Sequence, residues 1–398
     1  MDKQSNEEML TKIIEYLDKY EDESIEFWKD FVNYESFTAE VDNVRICAEY
    51  AKKMFEKIGF ECETVEVGNN GPTVIGTLGK NRTKKLIVLG GHMDTVHSKG
   101  TFGNPAFKIV DGWAHGPGTA DMKGGLVVAW AVAKALNHVG YDERPLRLVM
   151  TGDEETGHLG SDGAKVYVDA CRGGVCGFNL EPGTPSGKLV VGKRGMYRYR
   201  MKVHGKSAHA GRNFDSGRSA ILEACHKIFE LASLTDDEKG ITINVGTIKG
   251  GTVANTVPDY CEFEIDTRYT NRADVPIVRD KIIKISEKNN IDGTFTELEL
   301  ISQLGVFEAT EEVMRFYTFI DKISKQYNLS EGIMGYEKLG SSSDAALIQE
   351  AGVPTICSCG VKGLNIHTPQ ECAIVDSLKE RAKMIAATIL NLDEFDPE

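Results

Sequence analysis

The chain has 398 residues, a hydrophobic content of 41% and a formal net charge of −14 at neutral pH. A chain of that length and hydrophobic content can bury a sizeable core, which suits an enzyme with more than one domain. The acidic excess disfavours a nucleic-acid partner, because phosphate binding needs clustered lysine and arginine. No apolar stretch approaches the ~20 residues of a membrane span, and the acidic, polar start does not resemble a secretory signal. The nine scattered cysteines form no CxxC pair, so we expect reduced thiols and a cytoplasmic protein.

The first part of the chain alternates between helix and strand patterns. Residues 7–33 and 43–58 have apolar side chains at the spacing of amphipathic helices, and Gly124-Gly125 opens a third helix. Apolar runs of strand length, such as 146–150, lie between and after these helices. Strand followed by helix, repeated along the chain, predicts an α/β domain with a mostly parallel, doubly wound sheet and helices on both faces.

Four of the apolar runs end in the same way. Just past its C-terminal end, each run carries a histidine or a carboxylate. These residues are His92 and Asp94, Glu154 and Glu155, Glu181 and, after a loop, His367. Open α/β sheets place their ligands at this edge. Two imidazoles with several carboxylates form the ligand set of a pair of divalent metal ions, so we expect a metal centre there.

The pattern changes near Lys193. From there, half-buried strands alternate with helices in the order strand, helix, strand, strand, helix, strand. Such an order predicts a small α+β domain of the ferredoxin-like type, which we place at residues 193–306. The segments 1–192 and 307–398 would together form the catalytic domain, because His367 has to return to the sheet edge that carries the other candidate ligands.

Eight segments of the chain are similar, in order, to motifs of the M20 family of dinuclear zinc peptidases and deacylases. The segments are GGHMDTV, HGPGTADMKGG, TGDEETG, NLEPG, GKSAHAG, NTVP, DTRY and HTPQE. Within that family, the chain most resembles the glutamate carboxypeptidase (carboxypeptidase G2-like) branch. The resemblance implies a hydrolase whose catalytic domain is interrupted by an inserted lid or dimerisation domain.

The resemblance also implies the ligands of two zinc ions, which cobalt or manganese can replace at such sites. His92 and Glu181 would bind one ion. Glu155 and His367 would bind the other. Asp121 would bridge the two, because the two oxygens of one carboxylate can reach two cations. Each ion would keep an open position for water or substrate.

Two further carboxylates have roles implied by the same resemblance. Asp94 would accept the free N–H of His92 and so fix the tautomer of that ligand. Glu154 would act as the general base, which takes a proton from water and hands it to the leaving amine. The resemblance also implies a cis peptide bond between Asp121 and Met122.

In the inserted domain, the segment GKSAHAG resembles the lid loop of the family. There, His209 would reach the active site of a partner subunit and stabilise the oxyanion, which implies a homodimer. Asn255 and Arg268 match positions that bind the substrate carboxylate or the oxyanion. Arginine suits a carboxylate because its planar fork can form two hydrogen bonds with it.

The implied substrate is a small peptide or an acyl-amino acid, cleaved at an amide bond next to a free carboxylate. Glu181 favours cleavage next to a free carboxylate, because relatives that act as aminopeptidases tend to have Asp at this position. The motif matches favour release of a C-terminal glutamate-like residue. Residues 296–307, however, contain no arginine, where glutamate-releasing relatives have a basic residue. Deacylation of an N-acetyl or N-succinyl amino acid, cleavage of di- or tripeptides, and a non-catalytic binding role are the alternatives.

Other motifs are absent or match nothing. No HExxH segment is present, which excludes a thermolysin-like site with one zinc ion, and the serines at 341–343 lack the G-x-S-x-G context of a hydrolase nucleophile. His97, His115 and His158 lie near motifs but match no ligand position. We expect these three histidines in loops, where they could line the substrate cleft.

Overall fold

The computed structural model describes residues 3–329 and 335–397. Its α-helices are α1 (Lys3–Lys19), α2 (Glu21–Asn33), α3 (Val41–Glu56), α4 (Gly124–His138), α5 (Gly163–Cys171), α6 (Ala220–Ala232), α7 (Asp274–Glu287), α8 (Glu311–Gln326), α9 (Ala345–Glu350) and α10 (Ser377–Leu390). Its strands are β1 (Glu61–Val65), β2 (Gly71–Leu78), β3 (Leu86–His92), β4 (Lys108–Val110), β5 (Trp113–His115), β6 (Leu146–Gly152), β7 (Gly174–Asn179), β8 (Leu189–Lys193), β9 (Gly195–His204), β10 (Ala208–His209), β11 (Thr242–Gly250), β12 (Thr256–Val257), β13 (Tyr260–Tyr269), β14 (Phe295–Leu304), β15 (Tyr336–Leu339), β16 (Thr355–Ile356), β17 (Gly363–Leu364) and β18 (Cys372–Ile374). Among the helices described, none combines the length and the apolar character that crossing a bilayer requires.

The chain forms two compact units. The first consists of Met1–Gly192, Ala309–Leu339 and Ser343–Glu398, and the second of Lys193–Glu308 with Gly340–Ser342. The first unit is therefore discontinuous in sequence, and the candidate metal ligands all belong to it.

A six-stranded sheet is the centre of the first unit, in the order β1-β2-β6-β3-β7-β16. Strands β6, β3, β7 and β16 are parallel, and β2 and β1 extend the sheet in antiparallel pairing. The prediction of a mixed α/β fold with a mostly parallel central sheet is confirmed. Because the four parallel strands run in one direction, their C-terminal ends meet at the same edge.

Two consecutive glycines on β3 allow helices to approach the sheet from both faces. A Cβ atom on Gly90 would lie only 2.3 Å from Oη of Tyr167 on α5. A Cβ atom on Gly91 would lie 3.1 Å from Cδ2 of Leu126 on α4. Larger side chains at these positions would push the layers apart, so the glycines hold α4 and α5 close to the strand that ends in His92.

The amphipathic pattern at the N-terminus predicted one long helix, but the chain forms α1 and α2. Tyr20, between them, has φ −110° and ψ 26°, outside the helical region. Nδ2 of Asn6 on α1 donates to the main-chain oxygen of Leu390 on α10 at 2.8 Å. Nε1 of Trp28 on α2 donates to the main-chain oxygen of Thr119 at 3.2 Å. The two helices dock on different parts of the unit, and the break allows both contacts.

The second unit contains a four-stranded antiparallel sheet in the order β11-β13-β9-β14. Helix α6 connects β9 to β11, and α7 connects β13 to β14. Apolar side chains alternate with charged ones along the strands, so one face is apolar and packs on both helices, with Met201, Phe263 and Ile282 in its core. The opposite face is charged, and there Arg200 pairs with Glu264 at 2.7 Å.

A smaller sheet in the first unit has the order β17-β18-β5-β4. His115 ends β5 and pairs in register with Cys372 of β18. Strand β17 ends shortly before His367. The small sheet therefore supports the loop that carries this candidate ligand.

Candidate dinuclear metal centre

His92 is the last residue of β3, at the C-terminal edge of the main sheet, and its ring is buried. Its Nδ1–H donates to the main-chain oxygen of Asp94 at 3.0 Å and lies 3.4 Å from Oδ1 of the same residue. Oγ1 of Thr38 donates to the Asp94 carboxylate at 2.8 Å. The backbone N–H groups of Glu154 and Glu155 donate to it at 3.3 and 3.1 Å. With Nδ1 engaged in this way, Nε2 of His92 is available as a ligand.

Asp121 lies between two imidazoles. Its Oδ1 is 3.2 Å from Nε2 of His92, and its Oδ2 is 3.1 Å from Nε2 of His367. It belongs to the segment Thr119–Lys123, whose backbone departs from helical geometry at Asp121 and Met122, and the peptide bond between these two residues is cis. One carboxylate thus presents one oxygen to each histidine, which is the arrangement of a ligand that bridges two cations.

Two groups of three residues place their donor atoms within 4.8 Å of one another. One group is His92, Asp121 and Glu181, and the other is Asp121, Glu155 and His367. Nε2 of His92 is 3.8 Å from Oε1 of Glu181. Nε2 of His367 is 3.3 Å from Oε2 of Glu155. Sets of three imidazole and carboxylate ligands suit catalytic zinc, which keeps a further position open, so these residues fit two divalent ions that share Asp121.

Burial and the close approach of charged groups shift the pKa values of the candidate ligands. Burial raises the pKa of Glu155 to about 7, although hydrogen bonding to His367 opposes the rise. Hydrogen bonds to Asp121 and Glu155 raise the pKa of His367 to about 11. Burial alone would lower the pKa of His92, but the charge of Glu154 and the hydrogen bond to Asp121 raise it well above its usual range. Divalent cations would replace the protons on these groups, since both kinds of side chain bind metal in the deprotonated form.

Glu154 lies beside the ligands, just after β6. Its Oε2 is 4.0 Å from Nε2 of His92, and a third possible ligand group combines it with His92 and Glu155. Burial raises the pKa of Glu154 well above its usual range; His92 opposes the rise, and the charges of Asp344 and Glu181 add to it. A buried carboxylate whose pKa is raised in this way suits general acid–base chemistry.

The other candidate site residues, His209, Asn255 and Arg268, belong to the second unit. His209 is exposed on β10. Asn255 precedes β12, and its main-chain oxygen accepts a hydrogen bond from the N–H of Ala210 at 2.9 Å. Nε of Arg268 lies 2.7 Å from Oδ1 of Asp266 on the same strand. The guanidinium of Arg268 therefore already has a carboxylate partner within its own unit.

Sequence reasoning missed Glu371, which follows His367 in the HTPQE segment. Glu371 is buried, and its Oε2 lies 2.8 Å from Nε2 of His97. A lone glutamate after a ligand histidine carries no signal of what it contacts, so only its position in the motif could have drawn attention to it. Of the histidines expected in loops, His97 and His158 are buried, and His115 is part of β5.

Several known proteins are similar to this chain over most of its length. The sequence profile of peptidase family M20/M25/M40 matches residues 88–391. Carboxypeptidase G2 of Pseudomonas sp. (strain RS-16) is 26% identical over 371 residues, which cover 91% of this chain and 87% of the relative. Succinyl-diaminopimelate desuccinylase of Stenotrophomonas maltophilia (strain K279a) is 25% identical over 350 residues, which cover 84% of this chain and 90% of the relative. The crystal structure of aminopeptidase PepT from Bacillus cereus ATCC 10987 has the same fold, with a TM-score of 0.72 at 22% identity, covering 93% of this chain and 98% of the other.

Proposed function

Because the chain belongs to peptidase family M20/M25/M40 and is a hydrolytic metallopeptidase, we propose that it cleaves an amide bond next to a free carboxylate. The product in this proposal is a C-terminal glutamate-like residue, released from a small peptide or an acyl-amino acid. The observation that carries the proposal is the position of Asp121, whose two oxygens lie 3.2 and 3.1 Å from Nε2 of His92 and His367. A carboxylate shared in this way supports a hydrolase with two metal ions.

Five side chains would hold two zinc ions per chain, with cobalt or manganese as alternatives. They are His92, Asp121, Glu155, Glu181 and His367. When bound, zinc supplies the Lewis acidity that polarises the scissile carbonyl and makes an attacking water molecule more acidic. Nδ1 of His92 contacts the main-chain oxygen of Asp94 at 3.0 Å. This contact would keep the imidazole ring of His92 oriented.

Glu154 would move the proton. It takes a proton from the water molecule whose oxygen attacks the carbonyl carbon, and it gives that proton to the amine nitrogen as the C–N bond breaks. Burial supports this role, because it raises the pKa of Glu154 well above its usual range. The backbone N–H of Glu154 donates to Asp94 at 3.3 Å, so the base and the His92 ligand share one anchor.

From the motif resemblance, His209 would stabilise the oxyanion in the active site of a partner subunit. Asn255 and Arg268 would bind the substrate carboxylate or the oxyanion. A homodimer formed through the second unit is supported by apolar side chains exposed on that unit. Phe229 is 77% exposed and Leu222 53% exposed. Both lie on α6, two turns apart and thus on the same face of the helix. Exposed apolar surface of this kind marks interaction sites.

The two curated relatives support different substrates. Carboxypeptidase G2 supports release of a C-terminal residue, whereas the desuccinylase supports the second candidate, deacylation of an N-acyl amino acid. Both reactions cut an amide bond beside a carboxylate, so the same centre would serve either one. The segment 296–307 lacks the arginine that the resemblance leads us to expect for glutamate release. The identity of the released residue is therefore the point to test. The cytoplasm stays the predicted location.

Hydrolysis of a panel of substrates tests the proposal. The protein is loaded with zinc or cobalt, its metal content is counted, and it is incubated with benzoyl-glutamate, N-acetyl-ornithine, N-succinyl-diaminopimelate and simple di- and tripeptides. Two metals per chain with release of glutamate would support the carboxypeptidase proposal. Cleavage of only the acylated amino acids would support the deacylase, and cleavage of only the peptides a peptidase. A metal-loaded protein that cleaves nothing would favour the non-catalytic alternative. The Glu154→Gln variant, purified in parallel, reveals any contaminating hydrolase.

A further inference from the structure

His158 lies between two carboxylates. Its ring is buried, with Nδ1 2.8 Å from Oδ1 of Asp153 and Nε2 2.8 Å from Oδ1 of Asp344. Its backbone has φ 55°, a left-handed conformation that residues other than glycine adopt rarely. Its N–H donates to the main-chain oxygen of Asp153 at 3.1 Å. The loop after β6 therefore turns back at this residue and directs the imidazole into the interior.

Both contacts of the His158 ring need a donor on the ring, because ionised carboxylates only accept hydrogen bonds. A neutral imidazole has one N–H and satisfies one contact, whereas an imidazolium satisfies both. Burial by itself would lower the pKa of His158, but the charge of Asp344 and the hydrogen bonds with Asp153 and Asp344 raise it well above its ordinary value. The two contacts and the direction of this shift are those expected of an imidazolium between two carboxylates.

The two carboxylates come from different parts of the first unit. Asp153 immediately precedes Glu154 and Glu155. Asp344 immediately precedes α9, and its Oδ2 has no hydrogen-bond partner among the residues described. The ring of His158 thus joins the turn that bears the candidate base to the start of α9, across 186 positions of sequence.

We propose that His158 is a positioning residue for the hydrolytic reaction, whose cation balances Asp153 and Asp344 and fixes the turn that carries Glu154. The inference rests on the role proposed for Glu154 as the general base. Burial is the main cause that raises the pKa of Glu154, and the negative charge of Asp344 adds to that rise. If the cation were removed, Asp344 would be a buried anion without its partner, which is strongly unfavourable, and the turn would move to relieve it.

Replacement of the ring by an amide tests the role of His158. The amide of His158→Gln is neutral and cannot reproduce the two opposed N–H donors of the ring. We expect kcat to fall about 100-fold, which is the effect of displacing a catalytic group by ~1 Å. We expect KM to stay within about threefold, because the substrate contacts are untouched, and zinc content to equal that of the wild type. His138→Gln, exposed on α4, is the matched control and should retain the wild-type kcat.

A double variant separates charge balance from folding. Adding Asp344→Asn to His158→Gln removes the buried anion that the first substitution leaves without a partner. We expect at least about tenfold of the lost kcat to return, together with stability to urea, because the two sites are in contact and their effects are not additive. Should His158→Gln alone fail to fold, recovery of folding in the double variant would support the same pairing. A double variant as inactive as the single one, although folded, would contradict it.

Nitrogen-15 NMR of the imidazole rings gives a readout that does not depend on turnover. At neutral pH, both ring nitrogens of His158 should give the signals of protonated nitrogen, and these signals should be missing from His158→Gln. A neutral ring, or a wild-type kcat in zinc-loaded His158→Gln, would overturn the inference. If the zinc-loaded wild type cleaves no substrate of the panel, it is the proposed function that has failed. The NMR signals still show whether His158 is charged, so the two failures can be told apart.

Discussion

The carboxylate of Glu371 accepts a hydrogen bond from the backbone N–H of Asp121 at 3.0 Å. It also accepts from the N–H groups of Ala120 at 2.8 Å and Gly118 at 3.3 Å, and Nε2 of His97 lies 2.8 Å from it. Several donors thus converge on one buried anion. They fix the backbone that turns the two oxygens of Asp121 toward different histidines, so Glu371 would orient the proposed bridging ligand without itself touching a cation.

Glu371→Gln should therefore weaken metal binding. The side-chain NH2 of the introduced glutamine is itself a donor and would face the N–H groups that now donate to the carboxylate. At least one hydrogen bond would therefore be lost, although the side chain keeps its volume. We expect the affinity for both zinc ions to fall about 10- to 100-fold, as for other residues that orient metal ligands. Calorimetric titration of the metal-free protein measures this, with Glu15→Gln, exposed on α1, as the control. Unchanged affinity at both sites would mean that the loop holds Asp121 without Glu371.

Glu154→Gln should separate turnover from metal binding. An amide cannot take a proton from water, yet the substitution leaves all five candidate zinc ligands in place. We expect kcat to fall about 10²- to 10⁴-fold, the usual contribution of a general base, with two zinc ions retained. The assay is kcat on the best substrate of the panel, with metal counted in the same samples. Activity within about tenfold of the wild type would exclude Glu154 as the base.

The ends of the strands could be predicted from sequence, whereas isolated buried charges could not. His92, Glu155 and Glu181 each follow an apolar run, and parallel strands bring such ends to one edge, so the pattern alone led to a candidate centre. Glu371 and His158 lie in loops, and their ring-to-carboxylate contacts span 274 and 186 positions. No periodic pattern encodes contacts of that length.

The break in the N-terminal helix shows a second limit. Tyr20 is flanked by Lys19 and Glu21, all of which are compatible with a helix, and neither glycine nor proline marks the position. The amphipathic spacing continues on both sides. Docking of α1 and α2 on different partners decided the break, and such tertiary contacts override local propensity.

Zinc binding should strengthen as the pH rises from about 6 to about 8. In the metal-free protein, burial raises the pKa of Glu155 to about 7, and hydrogen bonds to Asp121 and Glu155 raise that of His367 to about 11. Both folded-state values exceed the ordinary values of 4.5 and 6.5, so the folded metal-free state binds more protons than the unfolded chain. The stability from these two groups is present at low pH and is lost as the pH rises.

Zinc has to displace these protons when it binds, so the stability that zinc adds to the folded protein should increase as the pH rises. The difference in Tm between zinc-loaded and metal-free protein should grow from about pH 6 to about pH 8. Calorimetry in two buffers of different ionisation enthalpy should detect proton release on zinc binding at the lower pH. A Tm difference that shrinks with rising pH would contradict the protonation states inferred for Glu155 and His367.

A buried ion pair should stabilise the second unit. Nζ of Lys227 lies 3.2 Å from Oε1 of Glu223, and both side chains are fully buried. Lys227 also donates to the main-chain oxygen of Ile285 at 2.8 Å, and Glu223 accepts from the N–H of Ile291 at 2.8 Å. Lys227→Met would leave the carboxylate without a counter-charge, and the free energy of unfolding should fall by about 3–5 kcal/mol. Urea unfolding measures this, and adding Glu223→Gln should recover part of the loss; an unchanged midpoint in Lys227→Met would refute the pairing.

Two inactive variants should complement each other if His209 serves a partner subunit. In a heterodimer of Glu154→Gln and His209→Ala chains, one active site combines an intact Glu154 with the intact His209 of the other chain. If the two chains assemble at random, about half of the dimers are mixed, and each mixed dimer has one complete active site out of its two. About a quarter of the wild-type activity should therefore return. Phe229→Glu in both chains would place a charge on the exposed face of α6, and it should prevent association and abolish this recovery. Mixed dimers that form, as judged from differently tagged chains, but stay inactive would confine His209 to its own chain.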